Sequence, residues 1–181
     1  NVDRLLKSPA TQRGRDFAVM LRTLADAGYV IEWRVVNAAE YGFPQRRIRV
    51  FIVARRGNTL GKSIKPFDYI TKSGILARAL LITSTQLDCT EVGIEKDWGR
   101  ISKYFNKVAS NKSPFMNSGV FCGDVAYTLK TQSAPNKATF STLGDVLQKE
   151  SDVDDSFYIP ANQLKAWKYL KGAKSIDRVH K

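Results

Sequence analysis

Two alternating stretches, Tyr29–Val36 and Arg47–Ala54, flank a short loop that carries Gly42 and Pro44. This pair constrains the fold more than any other feature of the chain. In the first stretch Tyr29, Ile31, Trp33 and Val35 share one face, and Glu32 and Arg34 lie on the other. In the second, Ile48, Val50, Ile52 and Ala54 share one face, and Arg47, Arg49, Phe51 and Val53 share the other. A period of two is the signature of a β-strand. The connection is too short for a crossover, so the pair is expected to be antiparallel and at the edge of a sheet. Upstream, Ser8 suits an N-cap and Pro9 the first helical position. Phe17, Met20, Leu21 and Leu24 then recur at helical spacing, and Gly28 is placed to end the run. An amphipathic helix from Pro9 to Ala27 is therefore expected to cover one side of the strand pair.

The texture changes after Ala54. Arg55-Arg56-Gly57-Asn58 and Gly61-Lys62-Ser63 read as a linker. A boundary near residue 58 divides the chain into 1–57 and 58–181. In the second part a short helix is expected at Ser73–Leu81. A hairpin is expected at Asn117–Thr131, with Gly123-Asp124 near its turn. Asp145–Lys149 reads as a short helical stretch. Gln163–Leu170 is a better one, with Leu164, Trp167 and Leu170 inward and Gly172 as its stop. The fold class expected is α/β, a helix and an antiparallel strand pair followed by a mixed α+β part.

Charge narrows the partners. The 181 residues carry 29 Lys+Arg against 17 Asp+Glu, a formal net charge of +12. That balance points to a polyanion. Apolar runs such as Val50–Ala54 and Ala79–Ile82 fall far short of the roughly 20 residues of a membrane span. Two cysteines, Cys89 and Cys122, are too few for a disulfide framework or a four-ligand zinc site, and the single His180 disfavours a His-based triad. No metal is expected, and a reduced cytoplasmic setting is. The chain opens on Asn1 rather than Met and closes on Arg178-Val179-His180-Lys181 directly after an apparent helix, so an internal fragment is expected.

The residues best suited to chemistry are Tyr41-Gly42-Phe43-Pro44-Gln45-Arg46-Arg47-Ile48-Arg49. In a strand Gln45, Arg47 and Arg49 would share one face at about 6.6 Å intervals. That is close to the spacing of successive phosphates along a DNA strand. Guanidinium forks at this pitch can hold adjacent phosphates, and the Gln45 amide both donates and accepts. The same arginines also suit solvated charges that guard an edge strand. Lys165, Lys168, Lys171 and Lys174, beside Trp167 and Tyr169, form a stripe that fits either a phosphate track or a wet helix face. Lys103, Lys107 and Lys112, near Tyr104 and Phe105, leave the same two readings open. Asp152-Val153-Asp154-Asp155 lacks the Gly and Glu of a calcium loop and reads as a solvated turn.

The run Tyr-Gly-Phe-Pro-Gln-Arg-Arg-Ile-Arg-Val-Phe-Ile-Val resembles the late catalytic-domain motif of DNA cytosine-5 methyltransferases, Gln-x-Arg-x-Arg. Asn1-Val2 resembles the end of that family's Glu-Asn-Val motif, and a helix and one strand separate the two, as in the family. Phe115–Gly119 and Leu164–Arg178 are similar to the target-recognition region of bacterial members. The resemblance implies that 1–57 is the end of a Rossmann-like catalytic domain and 58–181 an incomplete target-recognition domain. It implies methyl transfer from S-adenosylmethionine to C5 of a flipped cytosine in double-stranded DNA, within DNA methylation and restriction–modification. It implies that Arg49 contacts the flipped base or its backbone, that Arg47 and Gln45 support the catalytic loop and the DNA, and that Asn1 and Val2 border the base pocket. The family's nucleophile lies in a Pro-Cys pair, whereas Cys89 follows Asp88 and Cys122 follows Phe121, so both read as buried structural thiols. The motif glutamate and the Gly-rich cofactor loop are not among these residues. The chain alone is expected to be inactive and to bind no S-adenosylmethionine, with self-association through the exposed sheet edge, residues 29–54, as a two-fold dimer. The alternative is a non-enzymatic basic nucleic-acid-binding module.

Overall fold

The computed structural model describes residues 2–61, 63–107, 112–134 and 141–170. Two helices open it, α1 (Val2–Lys7) and α2 (Arg15–Asp26). The helix expected from Pro9 starts at Arg15 instead. Gly14, at φ +92°, turns the chain immediately before it, and only a residue without Cβ fits there: a Cβ would stand 2.9 Å from Ser113 Oγ. Ser8 still serves this helix end, but from a distance. Its carbonyl accepts from Gly14 and Asp16 N–H, and its hydroxyl donates to the Asp16 carboxylate at 2.5 Å. Gly28, at φ +85°, ends α2 as the sequence predicts.

Strands β1 (Tyr29–Asn37) and β2 (Ile48–Arg56) pair antiparallel, from Tyr29 opposite Arg56 to Asn37 opposite Ile48. Then come α3 (Pro66–Asp68), a π-turn over Tyr69–Ser73, α4 (Ile75–Ala79), β3 (Ile82–Thr83), β4 (Thr90–Gly93) and α5 (Trp98–Tyr104). The expected hairpin is β5 (Ser118–Cys122), a turn at Gly123-Asp124, and β6 (Val125–Leu129), followed by β7 (Gln132–Ser133). The main sheet has five strands in the order β2-β1-β5-β6-β4, and β3 pairs with β7 apart from it. β2 is an edge strand, as expected, and pairs antiparallel with β1 through the short connection. Because β1 pairs with β5, packing runs straight past residue 58, and the compact units divide as Asn1–Leu143 and Gly144–Lys181.

One sheet face is apolar. Ile31, Trp33, Phe121 and Ala126 pack there against Phe17, Ala18 and Leu21 of α2. Phe17 stands edge-on to Trp33 at 5.2 Å and to Phe115 at 5.0 Å. Gly119 lies opposite Trp33, where a Cβ would come within 2.1 Å of the indole, so the ring occupies the space a side chain would need.

The other face, polar by alternation, is also buried. Glu32 is 5% and Arg34 2% exposed. The Glu32 carboxylate accepts from Ile75 N–H at 2.9 Å and Leu76 N–H at 3.1 Å, at the start of α4. Arg34 donates to the carbonyls of Leu76 at 2.9 Å and of Leu80, the residue that closes α4, and to Ile70 C=O at 2.6 Å in the π-turn before it. Glu32 thus meets the N-terminal pole of α4 and takes up N–H groups that a short helix leaves free, and Arg34 meets the C-terminal pole at Leu80, while Leu76 C=O also accepts from Leu80 N–H at 2.9 Å. Burial lowers the proton affinity of Arg34 from the ordinary guanidinium value, and the charges of Tyr41 and Glu32 oppose that.

In the second unit, 3₁₀ turns at Gly144–Val146, Glu150–Asp152 and Asp155–Phe157 precede α6 (Ala161–Leu170). Only the start of the helical stretch expected at Asp145–Lys149 forms, as the first of these turns. Asp154 caps the third by accepting from Ser156 N–H, which is the solvated role expected of that acidic run. Leu164 and Trp167, expected inward, are 40% and 41% exposed, and among the described residues of this unit no buried core cluster includes them. Gly172 and the side chain of Leu170 lie outside the described residues.

Replacing Arg34 by Met would remove the side-chain donor of the Ile70 and Leu80 carbonyls, at about 1–3 kcal/mol each, while Leu76 C=O would keep the Leu80 N–H at 2.9 Å. We expect a loss of about 3 kcal/mol or more and a fall in Tm of about 10 °C by calorimetry. A fall of less than about 2 °C would show that the clamp is dispensable.

Candidate nucleic-acid interface

The loop between β1 and β2 is built from its caps outward. Asn37 accepts from Ala39 N–H and so caps a 3₁₀ turn over Ala38–Tyr41. Gly42, at φ +90°, ends it, and Arg47 C=O accepts from Ala38 N–H at 3.0 Å. The strand begins only at Ile48. Gln45 and Arg47 therefore lie in the loop, and of the three residues expected on one strand face only Arg49 is in the strand. The fixed φ of Pro44 and the closing bond at Arg47 hold the backbone out of the ladder until that point. Gln45, Arg46, Arg47 and Arg49 are all exposed. Among the described residues Gln45, Arg46 and Arg47 make no side-chain hydrogen bond or ion pair, and Arg49 donates only to its neighbour Ile48 C=O.

Beside this loop lies an open cleft of about 590 Å³, with Val35 and Ile48 as its apolar lining and Asn37, Glu40, Thr131 and Ser133 among its polar groups. Ile48 reaches it, whereas Gln45, Arg47 and Arg49 do not line it. Two features here escape sequence reasoning. Ser133 Oγ donates to Glu40 at 2.5 Å, and Ser141 N–H donates to Gly42 C=O at 3.1 Å, so chain on both sides of residues 134–140 is tied to the motif loop. Asn117 pairs with the backbone of Thr131 through two hydrogen bonds, at 2.8 and 2.9 Å. Its position at the foot of the expected hairpin was the only available signal.

Asn1 lies outside the described residues; Val2 opens α1, and its side chain also lies outside them. Lys165 is exposed on α6, and Lys168 is on the same helix with its side chain outside the described residues, as are Lys171 and Lys174. Lys103 Nζ sits 5.3 Å from the Tyr104 ring. No group of three or more His, Cys, Asp or Glu side chains among the described residues could hold a metal. No helix among them is long and apolar enough to cross a membrane.

Both cysteines are half-buried and unbridged. Burial, with Asp88 and Glu91 nearby, pushes the Cys89 thiol up to about 11. Burial also raises Cys122, whose Sγ donates to Asn58 C=O at 3.2 Å. A nucleophilic cysteine needs the opposite shift.

Residues 1–176 match the family model of the C-5 cytosine-specific DNA methylases. The chain belongs to that family. It is 41% identical over 187 residues to the Type II methyltransferase M.Sau3AI of Staphylococcus aureus, an alignment that covers 100% of this chain and 43% of that relative. M.SacI of Streptomyces achromogenes is 42% identical over 76 residues, which is 42% of this chain and 18% of that enzyme. M.NlaIV of Neisseria lactamica is 41% identical over 46 residues, covering 25% and 11%. The chain thus spans less than half the length of these methyltransferases. No solved structure matches it.

With a thiol raised to about 11, Cys89 should alkylate about a hundredfold more slowly at pH 8 than a cysteine at the ordinary value of 9.0, and labelling should accelerate as pH rises. Iodoacetamide labelling followed by mass spectrometry tests this; labelling at the rate of a free thiol would overturn it.

Proposed function

We propose that this chain is the DNA-contacting end of a bacterial DNA cytosine-5 methyltransferase, an enzyme that moves a methyl group from S-adenosylmethionine to C5 of a cytosine flipped out of duplex DNA. The observation that carries this reading is the exposed Gln45–Arg47 loop, continued by Arg49 on β2, beside an open cleft, in a chain that matches the family over nearly its whole length. On this reading 1–57 is the edge of the Rossmann-like catalytic sheet and 58–181 belongs to target recognition, the two sharing one five-stranded sheet. Arg49 contacts the flipped base or its backbone, Arg47 and Gln45 support the DNA, and Asn1 and Val2 border the base pocket. Lys165 and Lys168 add phosphate contacts, which fix register without reading sequence.

S-adenosylmethionine is the methyl donor that the family implies, and the described residues do not fit it. Their strand pairings are all antiparallel, and none forms a parallel strand, glycine-rich turn and helix that could seat a nucleoside. With both thiols raised, the contribution of these residues is to bind and orient DNA.

The 181-residue chain should bind duplex weakly, on the order of 10⁻⁴ to 10⁻⁶ M at physiological salt, and more weakly as salt rises. Arg47→Ala with Arg49→Ala should make the salt slope less steep by about 1.8, two phosphates' worth. Unchanged binding in that double variant would reduce the loop to a solvated strand edge. Labelled S-adenosylmethionine should give no methylation above background; measurable transfer would place the chemistry within these residues.

Self-association follows the same surface. β1 is paired on both sides, so β2 supplies the open edge of the expected dimer. A two-fold axis at Ile52 would set Arg49 opposite Arg55, a like-charge pair that opposes association. The dimer should therefore strengthen as salt screens it, opposite to DNA binding. Sedimentation in low and high salt checks the sign; a monomer in both removes the edge as an interface.

A further inference from the structure

At the far end of β2, the linker borders an open pocket of about 240 Å³ on the sheet face that carries α4. Arg55 and Arg78 both line it, with the hydroxyl-bearing residues Thr59, Tyr69 and Ser73. Arg55 donates to Thr59 C=O at 2.8 Å and to Arg56 C=O at 3.5 Å and is hydrogen-bonded to the Tyr69 side chain, which holds the guanidinium in place and still leaves part of its five donors uncommitted. Arg78 is exposed on α4 and makes no side-chain hydrogen bond or ion pair among the described residues.

The acidic groups nearby are already engaged. The Glu32 carboxylate, whose charge reaches Tyr69, is taken up by the N–H groups of Ile75 and Leu76. Asp68 is paired with Lys72 at 2.8 Å. Burial pushes the Tyr69 hydroxyl above its ordinary value, so it stays a neutral donor. Two cations, hydroxyl donors and no carboxylate in the lining make a site for an oxyanion.

Its position says which oxyanion. Arg55 lies six residues beyond Arg49 on β2, hence on the same face and about 20 Å away. That span matches about six base-pair steps of a duplex. We propose that the Arg55–Arg78 pocket holds a backbone phosphate of the same DNA duplex that the Gln45–Arg49 segment contacts. This rests on the DNA-contacting reading above and extends the contact along β2. The site positions DNA and reads no sequence.

The test uses Arg55→Gln with Arg78→Gln in the full 181-residue chain, alongside the parent and the Arg47→Ala/Arg49→Ala variant. Against a 20-base-pair duplex, the pocket variant should bind about tenfold more weakly whatever the sequence, with a salt slope less steep by about 0.9. Arg78→Lys, which keeps the charge and disturbs the fold least, should keep the slope. In a second arm, inorganic phosphate at matched ionic strength should raise the Tm of the parent and not that of the double variant. Parent-like slope and affinity in the pocket variant, while the loop variant is weakened, would overturn the proposal. So would stabilisation by phosphate with no change in duplex binding, which would make the pocket a free-anion site. If the parent itself showed no salt-dependent duplex binding, the DNA reading would fail and the phosphate contact with it, whereas failure of the pocket variant alone leaves that reading standing.

Discussion

The buried pairing of Glu32 and Arg34 with the two ends of α4 governs the side of the sheet on which the linker and its helices rest. A guanidinium that is 2% exposed is tolerable only because carbonyl groups surround it, and those carbonyls come from the π-turn and α4. The dependence is mutual. A five-residue helix has no stability of its own, and its poles are neutralised by side chains two residues apart on β1. β1 is therefore the part of the chain that both layers use. It gives Trp33 to one face and a carboxylate and a guanidinium to the other, and it pairs with β2 and β5 along its edges.

Much of this was legible in the residues and some was not, for identifiable reasons. Period-two alternation locates β1 and β2 and sorts their side chains into faces. It says nothing of what covers a face, so Glu32 and Arg34 read as a polar surface and turn out to be a polar interior. Helix signals act locally, and Ser8-Pro9 is a sound start signal that Gly14 overrides, because the chain must turn to let Ser113 and Phe115 approach. Gln45 and Arg47 have the right parity for a strand but precede the first ladder pair. Leu164 and Trp167 have core-like spacing in a unit whose described residues supply no core. The Gln-Arg-Arg-Ile-Arg run, by contrast, is short, contiguous and rich in uncommon choices, which is why the family could be recognised from it.

The cleft was invisible for a different reason. It depends on pairs remote in sequence, such as Glu40 with Ser133, 93 residues apart, and Asn117 with Thr131. Each is a common polar residue in a loop or at a strand end, and only the sheet order brings them together. The result is a motif loop whose backbone is fixed by caps at Asn37 and Gly42 while its arginines stay free. A rigid frame with uncommitted cations suits a surface that must meet a phosphate chain without first breaking bonds of its own.

The one-sided pairing of β2 also sets a gradient of local stability across the sheet. β1 amides are sealed between two neighbours, whereas every second amide of β2 faces outward and can exchange its hydrogen with solvent without any opening. Protection in β2 should thus alternate residue by residue, and the strand should open at a lower free energy than β1. The arginine-bearing strand is then the first part of the sheet to loosen, and whatever settles along its free edge would even out that alternation and raise the opening energy of the whole sheet border.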